Sequence, residues 1–202
     1  MSVILIRHGE TTLNRARVLQ PSDTPLSDLG MQQARAMAQR LKDEPIDAIL
    51  SSDMKRAAQT AQVLSDVINT PITYSTLLHE RSFGDLRGQR FDDLGFNPMD
   101  TGYAPPNGET WEEFYERVAL VFELVIRTAG TQNRTLAVVS HGLVIREMIR
   151  RHLSSESTVP ERLENTSVTI FDKQPPYAVS LLASAQHIQG LSDNPTTDGG
   201  LA

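Results

Sequence analysis

Three short apolar runs constrain the fold of this chain more than any other feature. Val3-Ile4-Leu5-Ile6, residues 46–50 and residues 135–139 are brief and rich in β-branched side chains, and apart from Asp47 they show no apolar/polar alternation. A strand that is apolar on both sides has to be covered on both faces, as in a parallel sheet between two layers of helices. Helical periodicity fills the intervals. In residues 27–44 the positions Ala34, Met37, Ala38 and Leu41 recur at three- and four-residue spacing, as do Ala57, Ala61, Leu64 and Ile68. Trp111, Phe114, Val118, Phe122 and Val125 form a third stripe, opened by Thr110-Trp111-Glu112-Glu113, a pattern in which Thr110 and Glu113 satisfy each other's backbone amides. Two closing strands are expected at residues 167–172 and 178–183 around the Pro175-Pro176 turn. The predicted fold is α/β, a three-layer α/β/α sandwich on a mostly parallel central sheet. One domain over residues 1–189 is expected, with an unordered polar tail over residues 190–202.

Composition excludes several chemistries. With no cysteine among 202 residues there is no thiolate nucleophile, no Cys-ligated metal and no disulfide. A net charge of −6 argues against nucleic acid or an anionic membrane as partner. The N-terminus lacks a secretory pattern and no window is long and apolar enough for a membrane span, so a soluble, cytoplasmic protein is expected. An anionic ligand would need a local reversal of sign.

That reversal sits at the strand ends. In parallel sheets ligands bind beyond the carboxyl ends of the strands, where helix N-termini converge. Those positions hold Arg7-His8-Gly9-Glu10-Thr11, Ser51-Ser52-Asp53-Met54-Lys55-Arg56 and Ser140-His141-Gly142. A single arginine at a strand end is commonly an ion-pair partner, and a single His-Gly a turn. Two arginines and two histidines on one sheet edge fit recognition of a phosphate dianion. Guanidiniums engage phosphoryl oxygens in pairs, and an imidazole fixed at one ring nitrogen offers the other as nucleophile or donor. Glycine after each histidine is expected to let the backbone approach the ligand.

The strings Leu5-Ile6-Arg7-His8-Gly9-Glu10-Thr11, Asn14, Asp23-Thr24-Pro25-Leu26-Ser27, Ser52-Asp53-Met54-Lys55-Arg56-Ala57, Glu80-Arg81-Ser82-Phe83-Gly84, Asn107-Gly108-Glu109-Thr110, Ser140-His141-Gly142 and Asn165-Thr166-Ser167 succeed one another over residues 3–172. Together they resemble the histidine phosphatase superfamily, in its phosphoglycerate-mutase-like branch. The resemblance implies that His8 is the nucleophile that becomes phosphohistidine. It also implies that Arg7, Arg56, His141 and Asn14 bind the phosphoryl oxygens and that Glu80 is the proton donor. That last role requires Glu80 to be protonated when the ester breaks, which burial or the incoming dianion would favour. No metal or cofactor is implied, and the expected partner is a small phosphorylated metabolite. The oligomeric state, monomer or homodimer, is left open.

Mutases that resemble this chain carry an insertion with cations for a phosphoglycerate carboxylate. Here residues 89–107 have Arg90 as their only cation, and Arg150-Arg151 fall in the helix after His141, out of place for that role. A phosphomonoesterase is therefore expected, with a bisphosphoglycerate-dependent mutase and a non-catalytic phospho-ligand-binding module as alternatives. Pro21, in place of a frequent glycine, and Asp85-Leu86-Arg87-Gly88 depart from the family pattern. Residues 81–107 are expected to cover the substrate, with Phe83, Phe91, Phe96 and Tyr103 mainly pinning this segment to the sheet. Among the remaining histidines, His79 is expected to shape a loop, His152 to carry positive charge at a helix end, and His187 to lie near the tail.

Overall fold

The computed structural model describes residues 2–131 and 135–191, and it sets the three apolar runs side by side. They are β1 (Ser2–Arg7), β2 (Ile46–Ser51) and, after a short strand β3 (Ile72–Tyr74), β4 (Thr135–Ser140). With β5 (Val168–Asp172) and β6 (Val179–Ser184) they form one six-stranded sheet of order β3-β2-β4-β1-β5-β6. The β1–β4, β2–β4 and β2–β3 pairings are parallel, and β5 runs antiparallel to both of its neighbours. The sheet is thus mostly parallel, as expected. Its short edge strand β3 escapes sequence reading because three half-exposed or exposed residues carry no apolar signature.

The helices are α1 (Thr12–Arg15), α2 (Asp28–Leu41), α3 (Lys55–Ile68), α4 (Trp111–Thr131) and α5 (Gly142–His152). Alternation along the strands explains the three layers. Val3, Leu5, Leu136 and Val138 point to one face and meet α4 and α5. Ile4, Ile6, Ala137 and Val139 point to the other and meet α2 and α3. Each fully buried aliphatic side chain contributes roughly 1.5–3 kcal/mol, so neither layer can peel away cheaply. The capping pattern before α4 is present: Glu113 N–H donates to Thr110 Oγ1 at 3.1 Å and Thr110 N–H to Glu113 Oε2 at 2.8 Å. One detail differs, since Val121 rather than Phe122 lies in the core. Phe122 instead stacks on His152 with ring centroids 4.5 Å apart.

The register fixes the functional edge. Arg7 lies opposite Ser140, and Ser51 opposite Val139, so three strands end in line. A cis Pro175-Pro176 bond lies in the connection between β5 and β6. Of the expected tail, residues 192–202 lie outside the described residues. Among the described residues no helix is long and apolar enough to cross a membrane.

Candidate active site

All six residues implied by the family motifs line or border one cavity at the carboxyl ends of β1, β2 and β4. Arg7, His8, Asn14, Arg56 and Glu80 line a cavity of about 620 Å³. The ring of His141 lies behind them, 5.1 Å from that of His8 between centroids.

His8 continues β1, its N–H bound to the Ser140 carbonyl at 3.0 Å. Its own carbonyl accepts from Asn165 Nδ2 at 3.0 Å. Nδ1–H donates to the Gly9 carbonyl at 2.7 Å, which leaves Nε2 as the nitrogen with an available lone pair. Arg56 Nε–H reaches that nitrogen at 3.3 Å. Burial first, and then the charges of Arg56 and Arg7, push the His8 pKa well below the ordinary imidazole value. The ring is therefore neutral at physiological pH.

His141 is likewise held neutral, by burial and then by the charge of Arg56. Its Nε2 lies 2.9 Å from Ser52 Oγ, which also accepts the Met54 N–H at 3.2 Å. Ser52 is completely buried, and its hydroxyl proton has no other acceptor among the described residues than His141 Nε2. The hydroxyl therefore donates to Nε2, and the His141 proton sits on Nδ1. That Nδ1 and Arg7 Nε are both buried without a hydrogen-bond partner. Two buried donors left open at one site are unusual and destabilising, and a bound oxyanion would satisfy both.

The arginines are firmly placed. Arg7 donates to the Leu163 carbonyl. Arg56, in the first turn of α3, donates to the Pro21 carbonyl at 3.0 Å, so the residue that departs from the family pattern orients this guanidinium. Burial lowers the pKa of each to about 10, with Glu80 acting in the opposite direction, and both remain cationic at neutral pH. Asn14 Oδ1 accepts from the Thr11 N–H at 3.2 Å within the α1 cap, which leaves its amide donors for the cavity it lines. Glu80 is held by backbone amides, Arg81 N–H on Oε1 at 3.0 Å and Leu143 N–H on Oε2 at 3.2 Å. It forms no ion pair with the Arg81 or Arg87 side chain.

Sequence reasoning missed the brace behind this edge. Arg117 of α4 donates to the Leu77 and His79 carbonyls, each at 2.7 Å, and forms a two-point pair with Glu109 at 2.6 and 2.7 Å. It thereby fixes the backbone that presents Glu80. Burial would raise the Glu109 pKa, but hydrogen bonds from Arg117 and the Ser82 N–H win and lower it. Arg81 is 2% exposed and donates to the carbonyls of Pro98, Tyr103 and Glu109 while lying 4.2 Å from the Trp111 ring centre. It ties down residues 81–109 as a central post would.

Four expectations need correction. Gly9 is small for a reason other than the ligand: a Cβ there would stand 2.6 Å from the Gly30 carbonyl oxygen, so the glycine allows α2 to pack on the loop. Phe83 and Phe91 line the cavity, whereas Phe96 and Tyr103 lie outside its lining with their rings in tilted contact. His152 is kept neutral: burial, then Arg151, lowers its pKa despite its place at the end of α5. Arg150, judged out of place, lines the cavity together with Arg146 and Arg162, although residues 89–107 contribute no cation there.

His79 bonds to Asp53 and borders the edge as a loop-shaping residue. His187 bridges Arg40 and Thr166, and burial pushes its pKa down to about 4. Among the described residues, no group of three or more His, Asp or Glu side chains is arranged to hold a metal.

Known proteins resemble the chain in sequence and in fold. The model of the histidine phosphatase superfamily (branch 1) matches residues 3–182. The chain is 32% identical over 185 residues to phosphoglycerate mutase-like protein 4 of Arabidopsis thaliana, covering 84% of this chain and 78% of that one. Among solved structures, Bacillus stearothermophilus YhfR superposes with a TM-score of 0.79 at 25% identity, covering 93% and 98% of the two chains. The mycobacterial glucosyl-3-phosphoglycerate phosphatase complexed with VO3 gives 0.71 at 29% identity, covering 85% and 90%.

Proposed function

Because the chain belongs to the histidine phosphatase superfamily, we propose that it hydrolyses small phosphomonoesters through a phosphohistidine on His8. The observation that carries this reading is the pair of buried, unpartnered nitrogens, Arg7 Nε and His141 Nδ1, beside a neutral imidazole whose Nε2 is available. Phosphoryl transfer requires an in-line nucleophile, donors around the equatorial oxygens and a proton for the departing oxygen. His8 Nε2 attacks phosphorus as the ester P–O bond breaks, and Glu80 gives the leaving oxygen its proton. The Arg56 Nε–H that now touches His8 Nε2 turns to a phosphoryl oxygen, joined by Arg7, Asn14 and His141 Nδ1–H. In the second half, Glu80 takes a proton from water, which attacks phospho-His8 and releases inorganic phosphate.

The reading places all of this in one domain over residues 1–189, with residues 81–107 as the covering segment. Arg81, Phe83, Arg87, Phe91 and Met99, all of which line the cavity, support that division. A panel of phosphomonoesters assayed with wild type and His8→Ala tests the mechanism. Phosphate release should be lost in the variant; release at the wild-type rate would refute it. Adding a bisphosphoglycerate primer to 2-phosphoglycerate in the same assay would expose a mutase.

A further inference from the structure

The cavity holds more positive charge than one phosphate needs. Eight arginines line it, against two glutamates, Glu80 and Glu161, although the whole chain carries −6. With Asp92 and Glu147, which pair with Arg17 and Arg146 from outside the lining, counted as well, the surplus is still four. A phosphate dianion would balance half of it. Uncompensated guanidiniums facing one another raise the energy of the free protein, and a ligand with further negative charge relieves that repulsion.

The surplus has a direction. Gly142 opens α5 beside Arg7, with its Cβ position 3.5 Å from Arg7 Nε. Leu143, Arg146 and Arg150 carry the cavity wall along the same helix face. At 1.5 Å per residue, Arg146 and Arg150 stand roughly 6 and 12 Å farther along the axis. Arg146 donates to the Glu161 carbonyl at 2.9 Å, which fastens the 161–163 loop to this face, and Arg7 fastens it again through the Leu163 carbonyl. Arg162, between the two fastenings, makes no side-chain hydrogen bond or ion pair with any described residue. Buried Glu147 accepts from Arg146 at 3.1 Å and Arg151 at 3.3 Å, and stands 3.9 Å from Arg150. One carboxylate shared in this way leaves Arg150 weakly paired, and Arg151 turns away onto the Tyr115 ring.

We propose that the substrate is a phosphomonoester carrying a second anionic group, carboxylate or phosphate, which Arg146, Arg150 and Arg162 bind while its ester phosphate lies at His8. This inference rests on the phosphatase reading for which end of the ligand reacts, and it names the substrate class.

Matched pairs test it. Glycerol 3-phosphate against 3-phosphoglycerate adds a carboxylate, and fructose 6-phosphate against fructose 1,6-bisphosphate adds a phosphate. Binding to His8→Ala, measured by calorimetry, should be roughly 10- to 100-fold tighter for the more charged member of at least one pair, and the pair that responds identifies the group. The double variant Arg150→Gln/Arg162→Gln in the same background should collapse that preference; both residues are exposed, so the fold should survive. Equal binding within both pairs, or a preference untouched by the double substitution, overturns the proposal. Wild-type hydrolysis of the same compounds separates the two claims. A preference in binding with no turnover of any ester would leave the subsite standing and remove the phosphatase reading.

Discussion

Ser52→Ala removes a single oxygen atom that makes two hydrogen bonds. Ser52 is completely buried; its hydroxyl donates to His141 Nε2 at 2.9 Å and accepts the Met54 N–H at 3.2 Å, just before α3. Each buried polar group left without a partner costs about 1–3 kcal/mol, so for the two groups a loss of roughly 2–6 kcal/mol in stability is expected. The catalytic effect is separate. Without the serine proton, His141 is free to carry its own on Nε2, and Nδ1 then faces the phosphoryl oxygens as an acceptor. Losing one preorganised donor lowers kcat on the order of 10²–10³, so a fall of at least about tenfold is expected from a mixture of tautomers. The assays are steady-state hydrolysis of 4-nitrophenyl phosphate and long-range ¹⁵N–¹H spectra that report which His141 nitrogen bears the proton. Ser52→Thr keeps the hydroxyl and should keep both the tautomer and most of the rate. If Ser52→Ala left His141 protonated on Nδ1 and kcat within about twofold of wild type, the tautomer assignment would be refuted.

Two further outcomes depend on burial. His8 and His141 are buried with pKa values pushed well below the ordinary one. Their unfolded counterparts take up protons as the pH falls through about 6.5 while the folded rings resist protonation, so the stability these rings contribute is full above that pH and declines below it. Denaturant unfolding at pH 7 and pH 5 measures this, and equal stabilities at the two would contradict it. Arg81→Leu strips three backbone carbonyls of their donor. A loss on the order of 3 kcal/mol is expected, with faster proteolytic cleavage within residues 97–110; an unchanged cleavage pattern would show that Arg81 does not hold the segment.

Much of this architecture is legible in the sequence because it arises from periodicity. Residues buried on both faces, such as Val3 to Ile6, leave a run that reads only as a covered strand, and the strand ends then name the chemistry. What periodicity does not show is which distant elements meet. Arg117 supports Glu80 from across the fold, and nothing in its helix distinguishes it from a surface arginine. Arg146, Arg150 and Arg162 become one wall only because the 161–163 loop folds back onto α5. Gly9 and Gly30 show the same limit: their smallness is visible, but the 2.6 Å approach that requires it is a tertiary fact. His152 shows how packing on Phe122 overrides a helix-end preference for charge.

The central claim is covalent, and one experiment addresses it directly. Rapid quenching of wild type with a ³²P-labelled phosphomonoester during turnover, then peptide mapping, should find label on the peptide containing His8, stable in base and lost in acid, as a phosphoramidate is. Label on another residue, or turnover with no protein-bound label at any quench time, would contradict the account.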